Sequence, residues 1–444
     1  MSKSTLLTAL ILLGLAGGVL IGQYLLFDPS APPLEDNHWT KLAGEIILIR
    51  PLTLLIVPLV FVSVVVAVTS IGHPSKLGLI GGSTLLFYLV TMLVAATLGA
   101  FLVSTYRPGD LPPQTQVEMR STAKARFDAS GAVATNIERV QKEEQSHPGA
   151  AWINIVRQMV PTNIVEEMSQ GRTLGVIVFA LLLGLALAAG GEKTAPAVRV
   201  FEAIFDALLR LAQWIIWLAP IGVMLLVAYT VGKIGLHALI GPLSKYMLIV
   251  LGGLAIQGLV ILPLLLFVLV RRNPFGFMWR VRKALLTALG TASSSATMPV
   301  AIDACLGAGG CSRRATNFVV PLGSTINMDG TALYEAVATV FLFQLYGIDL
   351  STADLVIVVI TATLAAIGAA GIPSAGLVTM VIVITAVNTT LAGRGVEPLP
   401  LSAMGVIIGV DRILDMVRTM VNVWGDMVAA RVISEIAPDN PAVA

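Results

Sequence analysis

No charged residue occurs between Leu355 and Gly393. A straight helix over that run would be roughly 58 Å long, nearly twice the hydrocarbon core of a bilayer. The run cannot be one helix. Its middle reads Gly371-Ile372-Pro373-Ser374-Ala375-Gly376, which a helix does not tolerate. The arms on either side, about 14 and 17 residues, are short for separate spans. A re-entrant hairpin fits: the chain enters the membrane, turns at mid-depth and leaves by the same side. Backbone at that depth is tolerated only inside protein or beside a water-filled cavity. The tip of the hairpin therefore predicts a site.

The rest of the chain agrees with a bilayer as solvent. Its hydrophobic fraction is 56% and its charged fraction 12%, against about 45–50% and about 25% in soluble domains. Ser4 to Phe27, Leu77 to Tyr106 and Tyr246 to Val270 are further charge-free runs, and about 20 apolar residues suffice for a span. Few runs alternate strictly, which argues against a β-barrel. The first run follows Lys3 as in a signal peptide, but it is long and lacks a small-x-small exit, so a retained helix is expected. Cys305 and Cys311 have no histidine nearby and fit no common metal motif. The net charge of +2 gives no reason to expect nucleic acid as a partner.

The expected fold class is an all-α polytopic membrane protein. Helices are predicted near 4–27, 43–71, 77–106, 150–190 with a break, 198–232 and 240–270. Residues 107–147 are polar and carry both signs of charge, which reads as a long, poorly ordered aqueous loop. Lys3, Lys76, the loop from Glu192 to Arg199 and the basic run from Arg271 to Lys283 all follow an even number of crossings. Short basic loops stay in the cytoplasm, so both termini are expected there, in the cell's inner (plasma) membrane. A second hairpin is expected over 284–312, with its tip at Thr291-Ala292-Ser293-Ser294-Ser295-Ala296-Thr297-Met298-Pro299. Each hairpin precedes a polar-studded helix, 315–346 and 396–434, and the two enter from opposite sides. Hairpin plus helix, twice and inverted, is a pattern of secondary transporters.

The last helix carries Asp411, Asp415, Arg418, Asn422 and Asp426 on one narrow stripe, with Thr419 at its border. Such charges are costly against lipid and must face protein or water. A set of internal ion pairs would account for them. A binding stripe for a zwitterion with an extra carboxylate accounts for their alternation as well: Arg418 can clamp the carboxylate bidentately and Asp415 can take the ammonium. In the preceding helix Asn327-Met328-Asp329-Gly330-Thr331 interrupts an apolar pattern. Asn327 and Asp329 point to different sides of a continuous helix. They serve one site only if the backbone unwinds, which Gly330 permits; a simple kink is the plainer alternative. Unwound carbonyls and carboxylates suit an alkali cation.

Taken together, Ser293–Pro299, Asn327–Thr331, Gly371–Gly376 and Asp411–Asp426 resemble the dicarboxylate/amino acid:cation symporter (glutamate transporter) family, in order and over the whole chain. The stretch Gly371 to Thr385 is especially similar to the animal excitatory amino acid transporters. The resemblance implies eight transmembrane segments and two re-entrant hairpins, a homotrimer, and a transport part that moves as an elevator against a scaffold. Residues 1–106 would supply scaffold helices 1 and 2 and transport helix 3, 107–148 the outer loop, and 149–239 scaffold helices 4 and 5. Residues 240–272 would be helix 6, 273–434 the transport core, and 435–444 a cytoplasmic tail.

The resemblance also implies roles. The backbone of Ser294 and of Ile372 to Gly376, with Pro373 among them, closes over the substrate from both tips. Arg418 holds its side-chain carboxylate, Asp415 its amino group, and Thr331, Thr419 and Asn422 complete the pocket. One sodium site uses Gly323, Asn327, Asn422 and Asp426; a second uses backbone near Thr325 and the outer tip; a third uses Tyr88, Thr91, Asn327 and Asp329. No cofactor beyond the coupling ions is implied. Met92 departs from the hydroxyl that family members commonly carry, which leaves the third site and the ion count open. Ala292 replaces the arginine of archaeal members. Glu335 matches the proton carrier of animal members. The expected function is therefore uptake of glutamate or aspartate coupled to sodium, protons or both. A C4-dicarboxylate or neutral amino acid carrier is the alternative within the family. An intramembrane aspartyl protease is the alternative outside it; the Tyr-Asp and Gly-x-Gly-Asp signatures it would need are absent. An anion channel is separated from a symporter by accumulation against a gradient.

Overall fold

The structure is a computed structural model. It describes residues 3–28, 34, 35, 37–71, 74–129, 135, 137, 138, 162–170, 173–234, 243–367, 369, 371, 373–392, 394 and 396–439. Among them every regular element is helical. The order is α1 (Lys3–Ile21), α2 (Trp39–Gly44), α3 (Arg50–Ile71), α4 (Pro74–Tyr106), α5 (Pro113–Ala129), α6 (Ile164–Ser169), α7 (Thr173–Ala189), α8 (Ala195–Ile216) and α9 (Ala219–Ile234). There follow α10 (Ser244–Ile256), α11 (Leu262–Val270), α12 (Pro274–Thr291), α13 (Ser294–Ala304), α14 (Arg313–Ile326), α15 (Asp329–Leu345), α16 (Thr352–Ile367), α17 (Ala375–Ala392) and α18 (Gly405–Ile436). π-helical turns extend α1 over Gly22–Leu26 and join α2 to α3 and α10 to α11.

Helix is the local structure that satisfies its own backbone in lipid. Among the described residues four helical segments are long and apolar enough to cross a membrane: Ala9–Leu26, Gly78–Tyr106, Ser244–Val270 and Ala375–Ala392. Small residues let the helices approach closely. Gly14, Gly18 and Gly22 line the face of α1 that meets α9, where a Cβ at Gly14 would lie 2.4 Å from the Pro220 carbonyl oxygen. α3 packs on α7 and α8, α4 on α15, and α14 on α18. Both expected hairpins are present as helix pairs, α12 against α13 and α16 against α17. Every residue of α15 is buried, so this helix lies at the centre of the part that carries the polar stripe.

Three expectations change. The helix predicted over 198–232 is two helices, α8 and α9, parted at Trp217 and Leu218, just ahead of Pro220. The arm α17 has 18 residues and is about 27 Å long. It is long enough to cross the core by itself, yet it packs along α16 as one limb of a hairpin. The loop predicted over 107–147 begins with α5, which lies on α18. Met119, Ala123 and Phe127, four apart, are its buried row, and Arg120 Nε donates to the Leu345 carbonyl at 2.8 Å. Residues 139–147 lie outside the described part. Just past α4, Arg107 pairs with Asp110 at 2.5 Å and Asp349 at 2.6 Å. The Asp110 hydrogen bond, then that of Asp349, holds its guanidinium above the ordinary range.

Candidate functional site

The helix carrying the Asn-Met-Asp-Gly-Thr run breaks where the sequence predicts, between α14 and α15. Asn327 is extended, with φ −87° and ψ 93°, and Met328 follows at φ −121° and ψ 54°. Gly330 is not the hinge. It sits inside α15, and a Cβ there would lie 2.6 Å from the Arg418 carbonyl oxygen. Its smallness serves the close approach of α15 to α18, and the polar residues before it make the break.

Both hairpin tips reach this break. At the first, Ala292 adopts φ 50° and Ser293 caps α13, its Oγ accepting from the Ala296 amide at 3.1 Å. At the second, Ser374 adopts φ 60° just before α17. The tips are tied together: Ser293 Oγ and the Ser295 amide donate to the Gly371 carbonyl at 2.7 Å and 3.1 Å. The N-terminus of α17 faces α18, where the Ser374 amide donates to Asp415 Oδ2 at 2.9 Å. A helix N-terminus with free amides favours a carboxylate, and here Asp415 provides one.

On α18, Arg418 is 2% exposed. It donates to Asp415, lies 3.6 Å from Asp411 Oδ1 and stands 4.4 Å from the centre of the Tyr334 ring. One buried cation is thus held by two carboxylates and an aromatic face, the pairing a buried guanidinium needs. Asn422 Oδ1 accepts from the Gly330 amide at 2.7 Å, and its Nδ2 donates to Thr331 Oγ1 at 3.2 Å. Ser294, Thr331, Gly376, Asp415, Arg418, Thr419 and Asn422 line a small, partly open cavity.

A second polar group lies beside this cavity. Asn327 Nδ2 donates to Asp426 Oδ1 at 2.9 Å. Gly323 has no room for a side chain: a Cβ would lie 2.3 Å from Asp426 Oδ1 and 2.6 Å from the Tyr88 hydroxyl. Thr91 Oγ1 donates to the Tyr88 carbonyl at 3.1 Å. Asn327 Oδ1 and Asp329 Oδ1 are buried and, among the described residues, accept no hydrogen bond. Buried oxygens of that kind are costly unless something positive meets them, and an alkali cation with oxygen ligands is the group they fit.

The structure therefore brings most of the sequence-predicted residues to two adjoining places. Pro373 does not line the cavity, and Ile372 lies outside the described residues. Thr325 hydrogen-bonds the Leu322 carbonyl at 3.0 Å, while the Ser324 carbonyl oxygen is the one beside Gly371, 2.6 Å from a Cβ built there. The Tyr88 hydroxyl is committed to the Val319 carbonyl at 2.8 Å. Glu335, one turn beyond Thr331, is buried and accepts from Thr379 Oγ1 of α17 at 2.5 Å. Sequence reasoning missed Ala369 as a lining residue, and Gln257 and Trp424 nearby; Gly371 and Ala375 belong to the tip it singled out. A lone glutamine in the charge-free helix was the available signal for Gln257.

A sequence profile of the sodium:dicarboxylate symporter family matches residues 7–436. Excitatory amino acid transporter 3 of Homo sapiens is 36% identical over 458 residues, 97% of this chain and 84% of that protein. A putative sodium-dependent excitatory amino acid transporter of Caenorhabditis elegans is 35% identical over 473 residues, 99% of this chain and 91% of that protein. Neutral amino acid transporter B(0) of Oryctolagus cuniculus is 33% identical over 457 residues, 96% of this chain and 80% of that protein.

Proposed function

Because this chain belongs to the sodium:dicarboxylate symporter family, a family of membrane transporters, we propose that it takes up glutamate or aspartate, driven by sodium. The carrying observation is Arg418, a guanidinium buried at the wall of the cavity with two carboxylates about it. A fully buried charge needs a reason. An acidic amino acid supplies one: its side-chain carboxylate takes Arg418, and its ammonium takes Asp415. One internal ion pair is then exchanged for two with the substrate. A neutral amino acid would leave Arg418 with no new partner, which favours the acidic reading over that of the neutral relatives. A plain dicarboxylate would leave Asp415 without its ammonium.

In this reading Ser294, Gly376, Thr331, Thr419 and Asn422 surround the substrate. Gly323, Asn327, Asn422 and Asp426 hold one sodium ion. Backbone near Thr325 and the outer tip hold another. Tyr88, Thr91, Asn327 and Asp329 hold a third, and Glu335 carries a proton. The two unaccepted oxygens on Asn327 and Asp329 support the cation part. The protein works as a homotrimer with cytoplasmic termini in the inner membrane. The helices α1, α3 and α7–α9 form the scaffold, past which α4 and α10–α18 slide.

Uptake into liposomes containing the purified protein tests this. An inward sodium gradient should drive accumulation of labelled aspartate or glutamate above equilibrium, and alanine or succinate should compete poorly. Equal competition by alanine would replace the acidic reading with the neutral one.

A further inference from the structure

Gln257 is a polar side chain in an apolar helix, and it is fully buried. It opens the π-helical turn Gln257–Ile261 between α10 and α11. Such single turns are frequent at functional sites. The turn has a local cause and a specific anchor. In a π turn the Gly258 carbonyl would accept from the amide five residues on, but that residue is Pro263, which has none. The Trp424 indole takes the carbonyl instead, at 3.0 Å. Trp424 is two residues from Asp426, so the turn is fastened to the cation-binding end of α18.

The turn aims the Gln257 amide at the other carboxylate. Nε2 donates to Asp329 Oδ2 at 3.2 Å and reaches the Thr91 carbonyl at 3.5 Å, while Oε1, also buried, has no partner among the described residues. The neutral NH₂ group thus stands between two oxygens that would attract a cation. Nearby, the Met92 sulfur accepts from the Met328 amide at 3.3 Å and presents no oxygen to the cation.

We propose that Gln257 is a reversing ligand of the cation site at Asp329: a half-turn of its amide exchanges the Nε2 donor for the Oε1 acceptor when the cation binds. With the donor inward, the amide satisfies Asp329 and Thr91. With the acceptor inward, Asp329 Oδ2, the Thr91 carbonyl and Gln257 Oε1 face one point, and the oxygen left unpaired gains a partner. Gln257 thereby supplies the oxygen that Met92 does not. The inference rests on the cation part of the proposed function and extends it to a residue on α10–α11.

The test uses the full-length protein in nanodiscs, with labelled aspartate binding titrated by sodium chloride against a choline background. Gln257→Leu removes both amide atoms at similar volume. It should raise the sodium midpoint at least about tenfold, with aspartate affinity at saturating sodium unchanged. Gln257→Glu keeps the oxygen and adds charge, so its midpoint should stay or fall. Opposite responses identify a ligand, and they would be read equally from the sodium-induced rise in Tm. A rise of the midpoint in both variants means damaged packing and overturns the proposal. So does an unchanged midpoint in Gln257→Leu, with the wild type still sodium-dependent. A wild type that ignores sodium overturns the proposal together with the cation part of the function.

Discussion

On the proposed function, Arg418 is the residue on which specificity turns. Its guanidinium is always charged, and its two carboxylate partners are equally buried. Removing it leaves Asp411 and Asp415 facing each other, and breaking a buried pair from one side costs about 3–5 kcal/mol. Arg418→Cys is therefore expected to lower Tm, abolish saturable uptake of aspartate and glutamate, and admit serine or cysteine, read in liposome uptake. Undiminished aspartate uptake would remove Arg418 from the site. Asp426 makes a different prediction. Its carboxylate takes one Asn327 amide proton, leaving Asn327 Oδ1 for a cation. Asp426→Asn keeps the shape and removes the charge. Since linkage is reciprocal, the variant should lose most of the dependence of aspartate affinity on sodium. A wild-type sodium dependence in a binding titration would show the carboxylate is structural.

At the level of elements, the two hairpin tips and the break between α14 and α15 act as one assembly. Gly371 is where they are closest: an added Cβ would lie 2.4 Å from Ser295 Oγ and 2.6 Å from the Ser324 carbonyl oxygen. The serine side chain can turn away, but the carbonyl cannot. Gly371→Ala should hold the tips apart at a cost of about 1–3 kcal/mol, the usual range for overpacking. The expected outcome is an aspartate Kd weakened by about 5- to 150-fold with the fold intact, measured by calorimetry. An unchanged Kd would mean the tips do not close over the substrate. The sequence made this assembly legible because proline, glycine and serine runs inside apolar segments have few structural meanings in lipid. The break at Asn327 was legible for the same reason, since polar residues in a buried helix demand partners. The role of Gly330 was not: a glycine in a polar run reads as a hinge, and only the approach of α18 shows that it makes room. The helix α5 was missed because its apolar row, Met119, Ala123 and Phe127, is thin among charges and acquires meaning only against α18. Gln257 was missed because its acceptors are on α4 and α15, far away in the chain.

For the whole molecule the question is which gradients drive the cycle, and Glu335 connects that question to the geometry. It lies on α15, within the part that carries the substrate cavity, and its carboxylate meets Thr379 on the second hairpin. Oε2 has no partner among the described residues, and the side chain is fully buried. A carboxyl in this position joins α15 to the second hairpin, the two elements that on the proposed function hold the substrate and close on it. A proton on Oε2 would therefore travel with the closed site and leave when the hairpin opens on the other side. A fixed structural role would hold the group in one state throughout. The two differ in a measurable way. In liposomes with a constant sodium gradient and no membrane potential, an inward proton gradient should raise the initial rate of aspartate uptake by the wild type. Glu335→Gln mimics the protonated form in shape and should transport at a rate that ignores the proton gradient while keeping its sodium dependence. A wild type indifferent to the proton gradient would assign the coupling to sodium alone and leave Glu335 as a fastening between α15 and α17.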